Sequence, residues 1–166
     1  MTARDAAEVI ELLERQGMEV YVDGGWAVDA VLGHETRPHS DLDIALPHKY
    51  VPRLREILGA QGYRERIRDD TWECNFVLAD EHGRQVDVHS FTLDEAGNNV
   101  HGVPYRAEHF AWPGAINAYP VRCVTPEWQV KFHTGYKLDE NDYRDVKALC
   151  ERFGIALPDE YKAFAK

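Results

Sequence analysis

The stretch GGWAVDAVLGHETRPHSDLDIAL, Gly24 to Leu46, decides how this chain is read. It opens on two glycines before a helix-like run and closes on Asp-Leu-Asp flanked by apolar residues. Just before it, EVYVDGG (19–25) predicts a short strand running into a glycine turn. WAVDAVLG predicts a helical segment closed by Gly33. DLDIALP alternates polar and apolar, as a strand does when its two faces meet different surroundings. Asp41 and Asp43, two apart on that strand, point to the same face.

Working outward, residues 3–16 form an amphipathic pattern with Ala6, Val9, Ile10 and Leu13 on one side, ended by Gly17. KYVPRLREILGAQGY (49–63) predicts a helix with Pro52 in its first turn. YRERIR, WECNFVLAD and RQVDVHSF predict strands, the last two joined by EHG as a hairpin. Residues 92–118, rich in Gly, Asn, Pro and aromatics, predict a long irregular connection with at most one short strand. YPVRCV is a strand pattern. TPEWQVKFHTGY predicts a helix with a Thr cap and Pro at its first position. ENDYRDVKALCERFG predicts a final long helix stopped by Gly154. Strands and helices intermix, so the class is α/β or α+β. The 166 residues suit one domain, 1–166, with C-terminal helices over about 125–166 packed on it.

The net charge of −10 argues against a general nucleic-acid binder, which needs clustered Lys and Arg. An acidic protein still binds nucleotides when magnesium supplies the positive charge, and it attracts small cations. Cys74, Cys123 and Cys150 are odd in number and lack zinc-finger spacing, which points to reduced thiols in a cytoplasmic protein. The charged N-terminus is not a signal peptide, and no apolar run is long enough for a membrane span. Gly-x-Ser-x-Gly and Gly-Lys-Ser/Thr are missing, so serine-hydrolase and P-loop chemistries find no support.

Asp87 lies between Val86 and Val88 in a predicted strand. Three carboxylates on adjacent strands would repel one another unless protons or cations intervened. Oxygen ligands suit magnesium, and two such ions can clamp the attacking and leaving oxygens of a nucleotidyl transfer. With 14 aspartates in the chain, chance alone gives roughly one Asp-x-Asp. What carries weight is order: a strand into Gly-Gly at a helix start, an Asp-x-Asp strand, then a lone Asp in a later apolar strand. Gly24 and Gly25 would let backbone approach a phosphate at a helix N-terminus.

This layout resembles the nucleotidyltransferases of the DNA polymerase β superfamily, whose signature is Gly-Gly or Gly-Ser, a gap, then Asp-x-Asp. It is most similar to the small antibiotic nucleotidyltransferases acting on lincosamides and aminoglycosides. The shared segments are DGGWAVD at 23–29 and RPHSDLD at 37–43. VDVH (86–89) and FHTGYKLDENDYRDVK (132–147) are similar to the lincosamide members. The fifteen residues between Gly25 and Asp41 are a long gap for the wider superfamily and usual for this subgroup.

The resemblance implies a minimal nucleotidyltransferase fold: a small mixed sheet with helices mainly on one face. It implies that Gly24 and Gly25 cradle the phosphates of a nucleoside triphosphate, that Asp41 and Asp43 hold magnesium, and that Asp87 is a third metal ligand or the general base. The reaction implied moves a nucleoside monophosphate, AMP from ATP, to a hydroxyl of a small cationic antibiotic, and pyrophosphate leaves. A homodimer would supply part of the acceptor wall.

Other residues carry two readings each. Arg37 either contacts a phosphate or forms a surface ion pair. Asp29 either joins the nucleotide site or tethers the glycine turn or Arg37, and Trp26 packs. Lys131 could face the triphosphate. His39 and His89 could be metal ligands of a zinc or manganese hydrolase, but without a His-Glu-x-x-His run they fit better as hydrogen-bond partners of the aspartates. Tyr136 either stacks on a base or packs. Glu108, Asp139, Glu140, Asp142, Tyr105, Phe110, Trp112 and Tyr119 form a candidate acceptor region, whose mix of acids and aromatics favours a lincosamide-like monocation over an aminoglycoside. The alternatives are an aminoglycoside acceptor, a protein-modifying nucleotidyltransferase of antitoxin type, and a binding module without activity, against which the complete aspartate set argues.

Overall fold

The computed structural model describes residues 1–164. Helix α1 (Ala3–Arg15) starts on a capping box in which Thr2 and Asp5 satisfy each other's backbone N–H. Strand β1 (Tyr21–Asp23) leads directly into α2 (Gly24–Leu32), with Asp23 as its N-cap and Gly33 as its left-handed C-cap. The two glycines therefore form the first turn of the helix rather than a turn preceding it. Strand β2 (Asp41–Pro47) is followed by one 3-10 turn (His48–Tyr50) and by α3 (Val51–Ala60), which carries Pro52 in its first turn. Then come β3 (Arg64–Arg66), β4 (Asn75–Ala79), β5 (Gln85–Leu93), β6 (Asn99–Gly102), β7 (Trp112–Ile116) and β8 (Tyr119–Cys123). Helices α4 (Pro126–Phe132) and α5 (Glu140–Phe153) follow, the second stopped by left-handed Gly154.

The strands form one mixed sheet in the order β3-β4-β5-β2-β1-β8-β7, with β6 also paired to β5. The β2–β5 and β1–β8 pairs are parallel and the others antiparallel. Alternation sorts the side chains. Leu42, Ile44 and Leu46 of β2 and Val86 and Val88 of β5 point into a core with Ile10 and Leu13 of α1, Trp26 of α2, and Leu54 and Leu58 of α3. Each such side chain contributes about 1.5–3 kcal/mol when fully buried. Helices α4 and α5 pack on Val28 of α2 through Val130, Val146 and Leu149. The opposite sheet face carries an aromatic layer: Phe91, Tyr105 and Phe110 with Trp128 and Phe132 of α4. No helix among the described residues is long and apolar enough to cross a membrane.

The expected mixed sheet with helices mainly on one face is present. Residues 92–118 differ from expectation, since they hold the end of β5, all of β6 and all of β7. The β7–β8 hairpin turns on Asn117 and Ala118, at φ 50° and 63°. Two consecutive positive φ values suit a tight primed turn, where Gly is the usual signal. Ala118 supplies none, so the hairpin is silent in the sequence. Thr125 holds an extended N-cap backbone, but its side chain makes no capping bond. Of the C-terminal segment expected over about 125–166, the last two residues lie outside the described ones.

Candidate active site

Register places the carboxylates. Asp43 of β2 is opposite Asp23 of β1 on one side and opposite Asp87 of β5 on the other. Directly opposed residues share a face, so Asp23, Asp43 and Asp87 form one row across three strands. Asp41 lies two residues before Asp43 on the same face. The whole set points away from the α1–α3 layer.

Such crowding has an electrostatic consequence. Burial raises the Asp87 carboxyl to about 6, and the charge of Asp43 adds to it. Arg68 opposes that rise through an ion pair to Asp87 Oδ2 at 2.7 Å, but its half-exposed guanidinium does not cancel it. Asp41 is raised by burial and by Asp43. Asp87 Oδ1 is buried and accepts no hydrogen bond among the described residues. His89 places Nδ1 2.8 Å from Asn75 Oδ1 and Nε2 at a long 3.5 Å from Asp43 Oδ1. Burial disfavours its charged form, yet the hydrogen bond and charge of Asp43 outweigh that and raise its pKa. The oxygens of Asp41, Asp43 and Asp87 do not all lie within 4.8 Å of one another.

The glycines are explained by close approach. Gly24 has φ +60°, and a Cβ on it would overlap the Asp43 carboxylate. A Cβ on Gly25 would lie 2.6 Å from Arg37 Nη2 and also press on His39. Only glycines let α2 begin this close to the acidic row. Arg37 thus sits over the helix start. Its Nη2 and Nε donate to Asp145 of α5, at 2.7 Å and 3.1 Å to the nearer oxygens. Asp145 is buried, so the guanidinium is held in a fixed orientation.

Several expected residues stand elsewhere. Asp29 is buried with both oxygens engaged, one by the N–H and Oγ1 of Thr36 and the other by His39 Nε2 at 2.6 Å. It tethers the loop after α2 rather than the glycine turn or Arg37. His39 accordingly serves Asp29 and not the acidic row. Lys131 lies over the Trp128 ring at 4.0 Å. Tyr136 hydrogen-bonds Asp142 Oδ1 at 2.8 Å. The candidate acceptor region does not assemble as one wall. Trp112 packs edge-on against Phe153, Tyr119 bonds Glu14 of α1, and Asp139 and Asp142 cap α5. Tyr105 and Phe110 do meet, in the aromatic layer.

Three site residues lacked a sequence signal. Arg68 comes from an irregular loop, and Asp145 is hidden in the acid-rich start of α5. Asp23 shows its role only once β1 is paired; its Oδ2 accepts from the Tyr105 hydroxyl at 2.5 Å. From Tyr105 the rings of Phe91 and Phe110 lead to a cleft of about 330 Å³, lined also by Glu19, Tyr21 and His48.

A helix opening on Gly-Gly beside an acidic row on a mixed sheet defines the nucleotidyltransferase class. Comparison with known proteins agrees. Residues 5–149 match the family model described as aminoglycoside-2''-adenylyltransferase. The lincosamide resistance protein of Staphylococcus haemolyticus is 26% identical over 155 residues, covering 90% of this chain and 94% of that protein. The 2''-aminoglycoside nucleotidyltransferase of Klebsiella pneumoniae is 27% identical over 146 residues, covering 79% and 81%. The lincomycin-bound lincosamide antibiotic adenylyltransferase LnuA shares the fold at a TM-score of 0.78, with 24% identity over 94% of this chain and 99% of that one. ANT(2'')-Ia in complex with adenylyl-2''-tobramycin shares it at 0.75, with 17% identity over 99% and 98%. The chain belongs to the aminoglycoside-2''-adenylyltransferase family. It is a nucleotidyltransferase, with a nucleotide as co-substrate.

Proposed function

We propose that the protein transfers AMP from ATP to a hydroxyl of an amphipathic, cationic antibiotic of lincosamide type. The observation that carries this is the register of Asp43 against Asp87 beside the Gly24–Gly25 helix start, under a guanidinium clamped by Asp145. Hard carboxylate oxygens, mutual repulsion and the unpaired Asp87 Oδ1 fit magnesium. Asp41 and Asp43 would hold it with Asp87, and the ion would supply charge neutralisation for the triphosphate and the leaving pyrophosphate.

The chain's own groups do the rest. The start of α2 offers N–H groups and a positive dipole end to the phosphates, and Arg37 stands ready for a phosphoryl oxygen. Asp87, raised toward neutral pH by burial, can take the proton of the acceptor hydroxyl. Catalysis then rests on positioning and electrostatics, as in phosphoryl transfer generally. For the acceptor, Glu19 offers one charge beside the apolar wall of Tyr21, Phe91 and Phe110. That pairing suits one amine on an apolar body better than a polycation. A second copy of the chain would close the open side of the cleft. Three buried thiols suit a reducing cytoplasm.

Mass spectrometry of each drug class after incubation with ATP, magnesium and enzyme tests the reading. An added AMP on lincosamides is the expected result. Addition only to aminoglycosides would replace the acceptor and keep the chemistry. Addition to neither, with nucleotide still bound, would redirect the assignment to a protein acceptor.

A further inference from the structure

Among the described residues, one cluster brings together metal-ligating atoms of three side chains within 4.8 Å, and it is not the aspartate row. It comprises His48, Cys74 and His101. Cys74 Sγ lies 3.3 Å from His48 Nδ1 and 3.4 Å from His101 Nε2. Glu73 Oε1 is 3.0 Å from the same His101 Nε2. His48 Nδ1 also meets Ser90 Oγ at 2.8 Å. Ser90 is three residues beyond Asp87 on β5, so it points to the opposite face. His101 is paired with Thr92, which shares the face of Ser90. Ser90 and His101 therefore lie on the sheet face opposite the aspartates, and His48, just past the end of β2, reaches them from the rim of the aromatic cleft.

We propose that His48, Cys74 and His101 form a structural zinc site whose fourth position is completed by the neighbouring exposed carboxylate of Glu73. Zinc takes nitrogen at ~2.0–2.1 Å and thiolate sulfur at ~2.3 Å in a tetrahedron, which sets nitrogen and sulfur ~3.5 Å apart. The observed separations already match that edge. The donor set is borderline-soft and unsuited to magnesium, and a carboxylate in fourth place favours zinc over a copper site with a weak thioether ligand. With the exposed Glu73 side chain swung into fourth place, no position stays open, which makes the site structural.

The ligands come from the 3-10 turn after β2, the lead into β4, and β6, separated by 26 and 27 residues. Strand β6 hangs on β5 alone in the sheet. Zinc would pin it to two further segments. The His101 and Glu73 side chains are 45% and 64% exposed while Cys74 is buried, so the ion enters from the β6 side. On binding, the Cys74 thiol releases its proton to solvent, and the Ser90 hydroxyl loses its acceptor on His48.

The test titrates chelator-treated protein with zinc and, as a spectroscopic stand-in, with cobalt(II). The expected result is one tight site per chain with a near-ultraviolet thiolate-to-cobalt band, proton release, and a rise in melting temperature with zinc. His101→Ala, on an exposed strand, should weaken zinc by more than the ~10–100-fold that loss of a supporting hydrogen bond costs. Cys74→Ser should abolish the cobalt band. Ser90→Ala should leave zinc affinity unchanged or tighter, and Asp43→Asn should leave the band intact. Cobalt bound without a thiolate band, parent affinity in His101→Ala, or loss of the band in Asp43→Asn would overturn the site. If Cys74→Ser does not fold, His101→Ala and the band of the parent decide.

Discussion

Strands β2 and β5 show two unlike faces built from the same few residues. On one, Leu42, Ile44, Leu46, Val86 and Val88 are fully buried against α1–α3. On the other, the charge of Asp43 stands close enough to raise the pKa of Asp41, Asp87 and His89. The first face is stabilising, since apolar area leaves water. The second opposes folding, since charge is crowded and partly desolvated. The apolar face thus holds the acidic one in place, and the two should respond to substitution in opposite ways.

The largest expected effect breaks the acidic face alone. Asp43→Asn or Asp41→Asn should lower turnover by ~1,000-fold, the upper end of the range for losing a main electrostatic contributor. The melting temperature should stay level or rise, because a repelling charge is gone. Calorimetric titration with ATP and magnesium beside thermal melts would check both halves, and parent-like turnover would remove the metal-site assignment. Ile44→Ala, one residue away, should do the reverse. It should cost about 2–5 kcal/mol of stability in urea unfolding, while the protein that remains folded keeps its nucleotide affinity.

Asp87→Asn comes next. Turnover should fall at least ~100-fold, the lower range for a general base, with nucleotide affinity falling less than in the Asp43 variant. Steady-state kinetics with a binding isotherm would separate the two. The smallest effect concerns pH. The folded Asp87 carboxyl, raised by burial to about 6, sits above an unfolded value of ~3.9. The folded state therefore binds the extra proton. Its stabilising contribution is full below the unfolded value and is lost as pH rises through the folded one. Relative to Asp87→Asn, the magnesium-free parent should lose about 1 kcal/mol of stability between pH 5 and 7. Identical pH slopes in the two proteins would show that Asp87 titrates normally.

The two faces were also unequally legible. Alternation in DLDIALP and RQVDVHSF announced both strands and the sidedness of Asp41, Asp43 and Asp87, since a period of two assigns every residue to a face. Gly33 and Gly154 announced helix ends through their left-handed conformations. Pairing was not legible. Nothing in YVDGG says that Asp23 will stand opposite Asp43, because register across strands is a property of the assembled sheet. Arg68 reaches the site from the irregular segment after β3, and Asp145 from the buried face of α5, where helical periodicity marks the face but not its partner. The acceptor region failed for a related reason. Trp112 and Tyr119 are near Phe110 in sequence, but the β7–β8 hairpin carries them to the far edge of the sheet.

The Arg37–Asp145 clamp has a consequence in time. Its partners are 108 residues apart, and Asp145 lies in the last long helix. Synthesis runs from the N-terminus, so the glycines and Asp23, Asp41, Asp43 and Asp87 leave the ribosome before the group that fixes the arginine. A nascent chain can build the sheet and its acidic row while Arg37 still swings free. Arg37 locks only once α5 has emerged and docked, so the guanidinium is the last part of this cluster to be fixed.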